Sequence, residues 1–264
     1  MLRSILVALS VLAASMAHAQ SVYLEDLTWT EVRDALASGK TTAIIYSGST
    51  EQNGPHMALG KHNFIAHFVA GRIAEELGDA LVYPTLPFAP TGDFILKSGH
   101  LRFPGSVSVT SESFVGIIAG VAQSAILSGF KQVYLMGDHG GGQNELRLVA
   151  DNLDQVWAGK GVRVRYVPDL YFKAAAQEAQ YLSGRHIVVG EHAGAEDTSE
   201  IMYIDAAHKW IRVDKLAPSD SSQEPLTGAN GDPTKASAEM GKVFIDFKIN
   251  DAVDQIRAYR RSKT

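Results

Sequence analysis

Short apolar runs alternate with amphipathic stretches along most of this chain, and the alternation limits the folds open to it. "TTAIIYS" (41–47) is composed like a buried strand. "FIAHFVAGRIAEELGD" (64–79) has helical spacing at Phe64, Phe68, Ile73 and Leu77, with Gly78 as a C-cap. "ALVYPTLPF" (80–88) reads as a strand broken by prolines, and "SVSV" (106–109) as a short strand. "SESFVGIIAGVAQSAILSGF" (111–130) reads as a largely buried helix ending near Gly129. A strand (131–137), a helix (144–161) and a further strand (162–172) follow. Residues 215–234, rich in Ser, Pro, Gly and Asp, form an excursion, and an amphipathic helix over 235–260 closes the chain. Strands alternating with helices that cross back predict a layered α/β fold around a mostly parallel sheet.

Residues 1–19 lie outside that pattern. Arg3 precedes a mostly apolar run from Ile5 to Ala14, and "AHA" at 17–19 is a small-x-small cleavage pattern. These features predict a secretory signal peptide cut before Gln20, leaving 20–264 as one mature domain. The run is far shorter than the roughly 20 residues of a membrane span, and nothing from Gln20 onward reads as a second one. The expected location is therefore the periplasm, with no membrane association after cleavage. With 264 residues, 45% hydrophobic and 20% charged, the chain can bury a sizeable core. It has no cysteine, so any metal must use oxygen and nitrogen ligands. Net charge is −5, or −6 without Arg3, and the charges are scattered. That argues against a nucleic-acid partner and for a small-molecule or peptidic substrate.

Ligands of α/β sheets gather at the carboxyl ends of the strands. Polar clusters follow the apolar runs at 48–63, at 137–144 and at 190–199, where they would converge. "GSTEQNGPHMALGKHN" offers Glu51, His56 and His62 in a loop that Gly54 and Pro55 bend sharply. In "GDHGGGQN", His139 enters a glycine-rich turn; the spacing matches neither a dinucleotide nor a P-loop motif. The better reading is a histidine ligand, with Asp138 supporting it or capping the turn. In "GEHAGAEDTS", a helix start accounts for Glu196 and Asp197. It does not account for Glu191 and His192, and His192 is a candidate proton carrier.

Together "GSTEQNGPHMALGKH", "RFPGSVSV", "MGDHGGGQN", "EHAGAEDTS" and "GANGDPTKASAEMGK" resemble, in order, the blocks of the creatininase (creatinine amidohydrolase) family. The resemblance spans roughly residues 44–245. It implies a three-layer α/β/α domain, often assembled into homo-oligomers, with a divalent metal site. It implies hydrolysis of C–N bonds in cyclic or linear amides, or in peptides. Glu51 matches the family's glutamate ligand and His139 its second-block histidine. Asn53 stands where a ligand histidine belongs, and His62 where a metal-bridging aspartate belongs. Gly141 takes the place of creatininase's further glutamate. Glu191 and His192 match its Glu-His pair, and Asp197 shortens a later glutamate.

A carboxylate bridges two metals with its two oxygens, whereas neutral imidazole offers one lone pair. The exchanges at positions 53, 62 and 141 therefore remove most ligands of a second metal. Glu51, His62 and His139 remain, two histidines and a glutamate, a set suited to one catalytic zinc; manganese or a second ion is the alternative occupancy. The expected enzyme is a metal-dependent amidohydrolase with His192, Glu191 or Asp197 carrying the proton to the leaving nitrogen. His56, His100, Asn53 and Asp138 are expected as substrate contacts or supports behind the ligands, and 86–103 and 167–186 as shapers of the pocket. Two other functions compete: a metal- or ligand-binding protein whose dinuclear site has decayed, and a lactone or ester hydrolase.

Overall fold

The computed structural model describes residues 21–262. The signal peptide expected at 1–19 lies outside the described residues. In chain order the elements are α1 (Trp29–Ala37), β1 (Thr42–Ser47), α2 (Lys61–Leu77), β2 (Ala80–Val82), α3 (Ser111–Ser128), β3 (Gln132–Gly137), α4 (Gln143–Trp157), β4 (Arg163–Tyr166), α5 (Asp169–Ser183), α6 (Ala195–Ile204), the single turn α7 (Glu224–Thr227) and α8 (Ala238–Arg261). Local chemistry marks several ends. A Thr28–Glu31 capping box starts α1, and Gly78 and Gly129, both left-handed, stop α2 and α3.

The strands form one parallel sheet in the order β2-β1-β3-β4. Every residue of β1 is buried, because both faces of the sheet are covered. Ile44 and Tyr46 point into a core shared with α2, α6 and α8, while Ala43 and Ile45 point into the core under α3 and α4. This is the three-layer α/β/α arrangement. The chain leaves β1 toward β2 on one side and returns to β3 on the other, so a crevice opens outside the carboxyl ends of β1 and β3.

Four local expectations are corrected. Residues 106–109 form no strand; they run extended, with Val107 N–H bonded to the Thr50 carbonyl at 2.8 Å. The strand expected over 162–172 stops at Tyr166, because Pro168 starts α5. The run 187–189 is a loop with Val188 exposed, so the third polar cluster follows no strand. Finally, α3 is long and apolar enough to cross a membrane by length and composition, contrary to the expectation for residues after Gln20. Its apolar character comes from Ile, Val, Ala and Gly. Phe114, Ile118, Ala122, Ala125 and Ile126 pack on the sheet, while Ile117 and Leu127 are exposed.

Candidate metal centre

The loop after β1 delivers Glu51. Its N–H donates to the Leu59 carbonyl at 2.9 Å, and Asn53 Nδ2 donates to the Glu51 carbonyl at 2.8 Å. The carboxylate is buried and accepts from Ser49 Oγ at 3.1 Å. His62 sits on the first turn of α2 and not in the preceding loop, so the helix fixes its direction. His139 leaves the end of β3, where Gln143 Nε2 closes the turn by donating to the carbonyls of Gly137 (2.9 Å) and His139 (2.7 Å). His62 Nε2 lies 3.1 Å from Glu51 Oε1, and His139 Nε2 lies 2.7 Å from Glu51 Oε2. One donor atom from each of the three lies within 4.8 Å of the others.

Hydrogen bonds decide which nitrogens hold lone pairs. Asp138 Oδ2 lies 2.8 Å from His62 Nδ1. Lys248 and His62 outweigh burial and hold the Asp138 carboxyl below its ordinary value. Asp138 therefore accepts from Nδ1–H, so Nε2, against Glu51 Oε1, is the nitrogen a metal would take once its proton is lost. His139 Nδ1 is 3.2 Å from the Gly141 carbonyl and 3.0 Å from the Gly141 nitrogen, so its ring can free Nε2 without moving. Burial acts to raise the Glu51 pKa, but His62 and His139 prevail and keep it an anion. Two imidazole nitrogens and one carboxylate, converging and oriented from behind, suit a divalent ion.

His100 and His192 reach the same carboxylate, at 3.6 Å from Nε2 and 4.0 Å from Nδ1, and with Glu51 they form a second possible donor set. Gln52 separates their roles. Its Oε1 accepts from Gly54 N–H at 3.0 Å, which turns its NH₂ group toward His100 Nδ1, also at 3.0 Å. His100 Nδ1 is thus an acceptor, and the proton of neutral His100 sits on Nε2, facing the cavity. The carbonyl of Gln52 accepts from His192 Nε2–H at 2.8 Å, so His192 faces the cavity with the bare Nδ1. Burial, with Lys61 adding, lowers the His192 pKa to about 3. One residue thereby sets opposite tautomers in two rings whose centroids are 4.5 Å apart.

The remaining expected residues divide. Asp138 stands behind His62. His56 is buried, and its Nε2 lies 3.0 Å from Thr198 Oγ1, tying the loop to α6 away from the cavity. Asn53 turns its amide back into its own loop, bonding the Glu51 and Ala58 carbonyls, and does not line the cavity, so of its two expected roles it takes the place behind Glu51 and not that of a substrate contact. Asp197 lines the cavity but pairs with Lys61 at 2.8 Å and accepts from Ala193 N–H at 2.7 Å. Lys61 outweighs burial and holds its carboxyl below the ordinary range, and these two contacts keep it engaged with the cavity wall. Glu191 sits exposed at the rim, accepting from Asn230 Nδ2 at 3.1 Å. His192 alone of the three expected carriers combines an inward position with a free lone pair.

Several residues of the centre escaped the sequence reading. Lys248 is buried on α8 and bonds Asp138 Oδ1 and Glu200 Oε2, each at 3.0 Å. Tyr46 donates to the same Asp138 oxygen at 3.3 Å. Lys61 is buried, and Glu178 of α5 faces the cavity from the far wall. Lys248 and Glu178 had a signal: a charged residue on an apolar helical stripe. Lys248 falls in step with Phe244, Ile245 and Ala252, and Glu178 with Leu170, Ala174 and Leu182. The whole cavity measures about 340 Å³, within the range of small-molecule sites.

Similarity to known proteins agrees with this geometry. The chain is 26% identical over 258 residues to creatinine amidohydrolase of Pseudomonas putida, covering 90% of this chain and 97% of that protein. It is 27% identical over 224 residues to the mycofactocin precursor peptide peptidase of Mycolicibacterium smegmatis, covering 82% and 85%. Two solved creatininase structures share the fold, a zinc–zinc form of a variant and a manganese form. Each has a TM-score of 0.75 and covers 92% of this chain and 100% of its own, at 21% and 22% identity. The family model "Creatininase: Creatinine amidohydrolase" matches residues 25–256. The chain therefore belongs to the creatininase (creatinine amidohydrolase) family.

Proposed function

We propose that this protein hydrolyses the C–N bond of an amide-type substrate, cyclic, linear or peptide-like, using one divalent ion held by Glu51, His62 and His139. The observation that carries the reading is the convergence of these donors within 4.8 Å, with the second nitrogen of His62 bonded to Asp138. Zinc suits two histidines, one carboxylate and an open position. When bound, such an ion polarises a carbonyl and lowers the pKa of water toward about 7. The protein's own groups divide the proton work. His192 Nδ1, whose bare lone pair faces the cavity, accepts the hydrogen bond of the attacking water and relays its proton to the leaving nitrogen as that nitrogen becomes the stronger base. His100 Nε2–H donates to the carbonyl oxygen as negative charge gathers there.

Three features support one ion over two. A Cβ at Gly141 would lie 1.9 Å from the Pro90 carbonyl oxygen, so the turn has no room for a carboxylate side chain there. Asn53 faces away from the cavity. Gln52 keeps a proton on His100 Nε2, which leaves the second donor set with only Glu51 and His192. Metal analysis of purified protein is the direct check: one tightly bound ion per chain is expected, and two would overturn this reading. A screen of amides, lactones and peptides beside His139→Ala tests the reaction class; amide turnover lost in the variant is the expected result.

The leader-like residues 1–19 support export to the periplasm, to be checked by finding Gln20 at the mature N-terminus. Exposed Ile117 and Leu127 on α3, with Phe94, Ile95 and Leu96 on a loop, support assembly into a homo-oligomer. Sedimentation of the purified protein checks it.

A further inference from the structure

The far wall of the cavity holds carboxyl groups that the hydrolytic chemistry does not use. Glu178 on α5 is 8% exposed, and its Oε1 has no hydrogen-bond partner. Glu196, on the first turn of α6, has a buried Oε2 in the same condition. Both line the cavity, and neither belongs to an ion pair among the described residues. The nearby cations are already engaged: Lys61 with Asp197, and Lys248 with both Asp138 and Glu200.

A buried carboxylate without a partner is costly, and such groups are kept neutral or are paired with a cation. Glu178 is pushed well above the ordinary carboxyl range, by burial first and then by Glu200. Glu196 is raised to about 7, by burial and then Asp197. Glu196 is also held in place, because a Cβ on Gly190 or Gly194 would come within 2.9 Å of its carboxylate oxygens. Around Glu178, α5 presents Tyr171, Ala175, Ala179 and Leu182 to the cavity, a mostly apolar wall with small side chains. An apolar wall carrying two carboxyls, each with one oxygen lacking a partner, fits an aliphatic chain tipped with positive charge.

Resting on the amide-hydrolase reading, we propose that Glu178 and Glu196 form a cation subsite, so that the substrate amide carries an aliphatic arm ending in a guanidinium or ammonium group. The arm lies along α5 and its cation replaces the missing partners of the two carboxyls. The subsite, and not the metal centre, selects the substrate.

Binding of small probes separates the subsite from catalysis. Calorimetry compares butylguanidinium with butanol and butyrate; guanidinium stays protonated and offers a metal no lone pair. On metal-loaded protein, butylguanidinium is expected to bind at least tenfold more tightly than butanol, with butyrate no better than butanol. Glu178→Gln or Glu196→Gln abolishes the preference. Equal binding of butylguanidinium and butanol overturns the proposal, as does a preference that survives both substitutions. Glu51→Gln supplies the separation from the hydrolase reading: that variant loses the metal ligand but keeps the Glu178-dependent preference. Loss of the preference in Glu51→Gln with retention in Glu178→Gln would place the cation at the metal centre and overturn the subsite.

Discussion

The two walls of the cavity are built on opposite rules. On the wall formed by β1, β3 and the start of α2, each charged group that lines the cavity has an assigned partner. Glu51 meets His62 and His139, His62 meets Asp138, and Asp138 meets Lys248 and Tyr46. On the wall formed by α5 and the start of α6, Glu178 and Glu196 each leave a buried oxygen without a partner. A satisfied network fixes directions and protonation, as a metal centre requires. An unsatisfied one stores a demand that a ligand can meet. Substitutions on the first wall should remove function; on the second they should change selectivity and raise stability.

The largest effect belongs to the ligands. His139→Ala removes one of three donors, and both bound metal and turnover should fall, the latter by roughly 10³-fold, equivalent to about 4 kcal/mol. Metal analysis and steady-state rates check it. His100→Gln comes next. It deletes the Nε2–H donor but no ligand, so kcat should fall about 10²-fold while metal content stays unchanged. A fall in metal content would instead make His100 a ligand and reopen the two-metal reading. Asp138→Asn leaves His62 without its anionic acceptor and should weaken metal binding by about 10–100-fold, read by competition with a chelator.

How much of this contrast was legible beforehand also differs between the walls. The parallel sheet follows from strands that alternate with crossover helices, and Glu51, His62 and His139 carry ligand chemistry in their side chains. Their convergence follows from the carboxyl ends of β1 and β3 being neighbours. The tautomers were not legible, because they depend on Gln52 and Gly54, whose roles appear only once the loop is folded. Of the second wall only the stretch 167–186 was legible, as a shaper of the pocket; Glu178 itself was hidden for another reason. Glu178 lies on α5, whose first half reads as a continuation of the apolar run through β4 until Pro168 starts the helix. Lys248 is separated from its partner Asp138 by 110 positions, so its burial is compensated only in three dimensions.

The smallest expected effect is the pH-dependent stability that Glu196 on the second wall contributes. Glu196 is raised from 4.5 to about 7 in the folded protein, first by burial and then by Asp197. A carboxyl with a raised folded pKa binds its proton more tightly when folded. Its contribution is fully present below about pH 4.5, the unfolded value, and is lost as pH rises through about 7. At pH 8 the folded protein must therefore hold Glu196 as a charged, poorly solvated group. Glu196→Gln keeps the shape and removes the charge. It should be more stable than wild type by roughly 1–3 kcal/mol at pH 8, with a much smaller difference at pH 5. Denaturant unfolding at the two pH values measures this. A butylguanidinium-saturated wild type should recover part of the pH 8 difference, because the bound cation supplies the partner that the fold withholds.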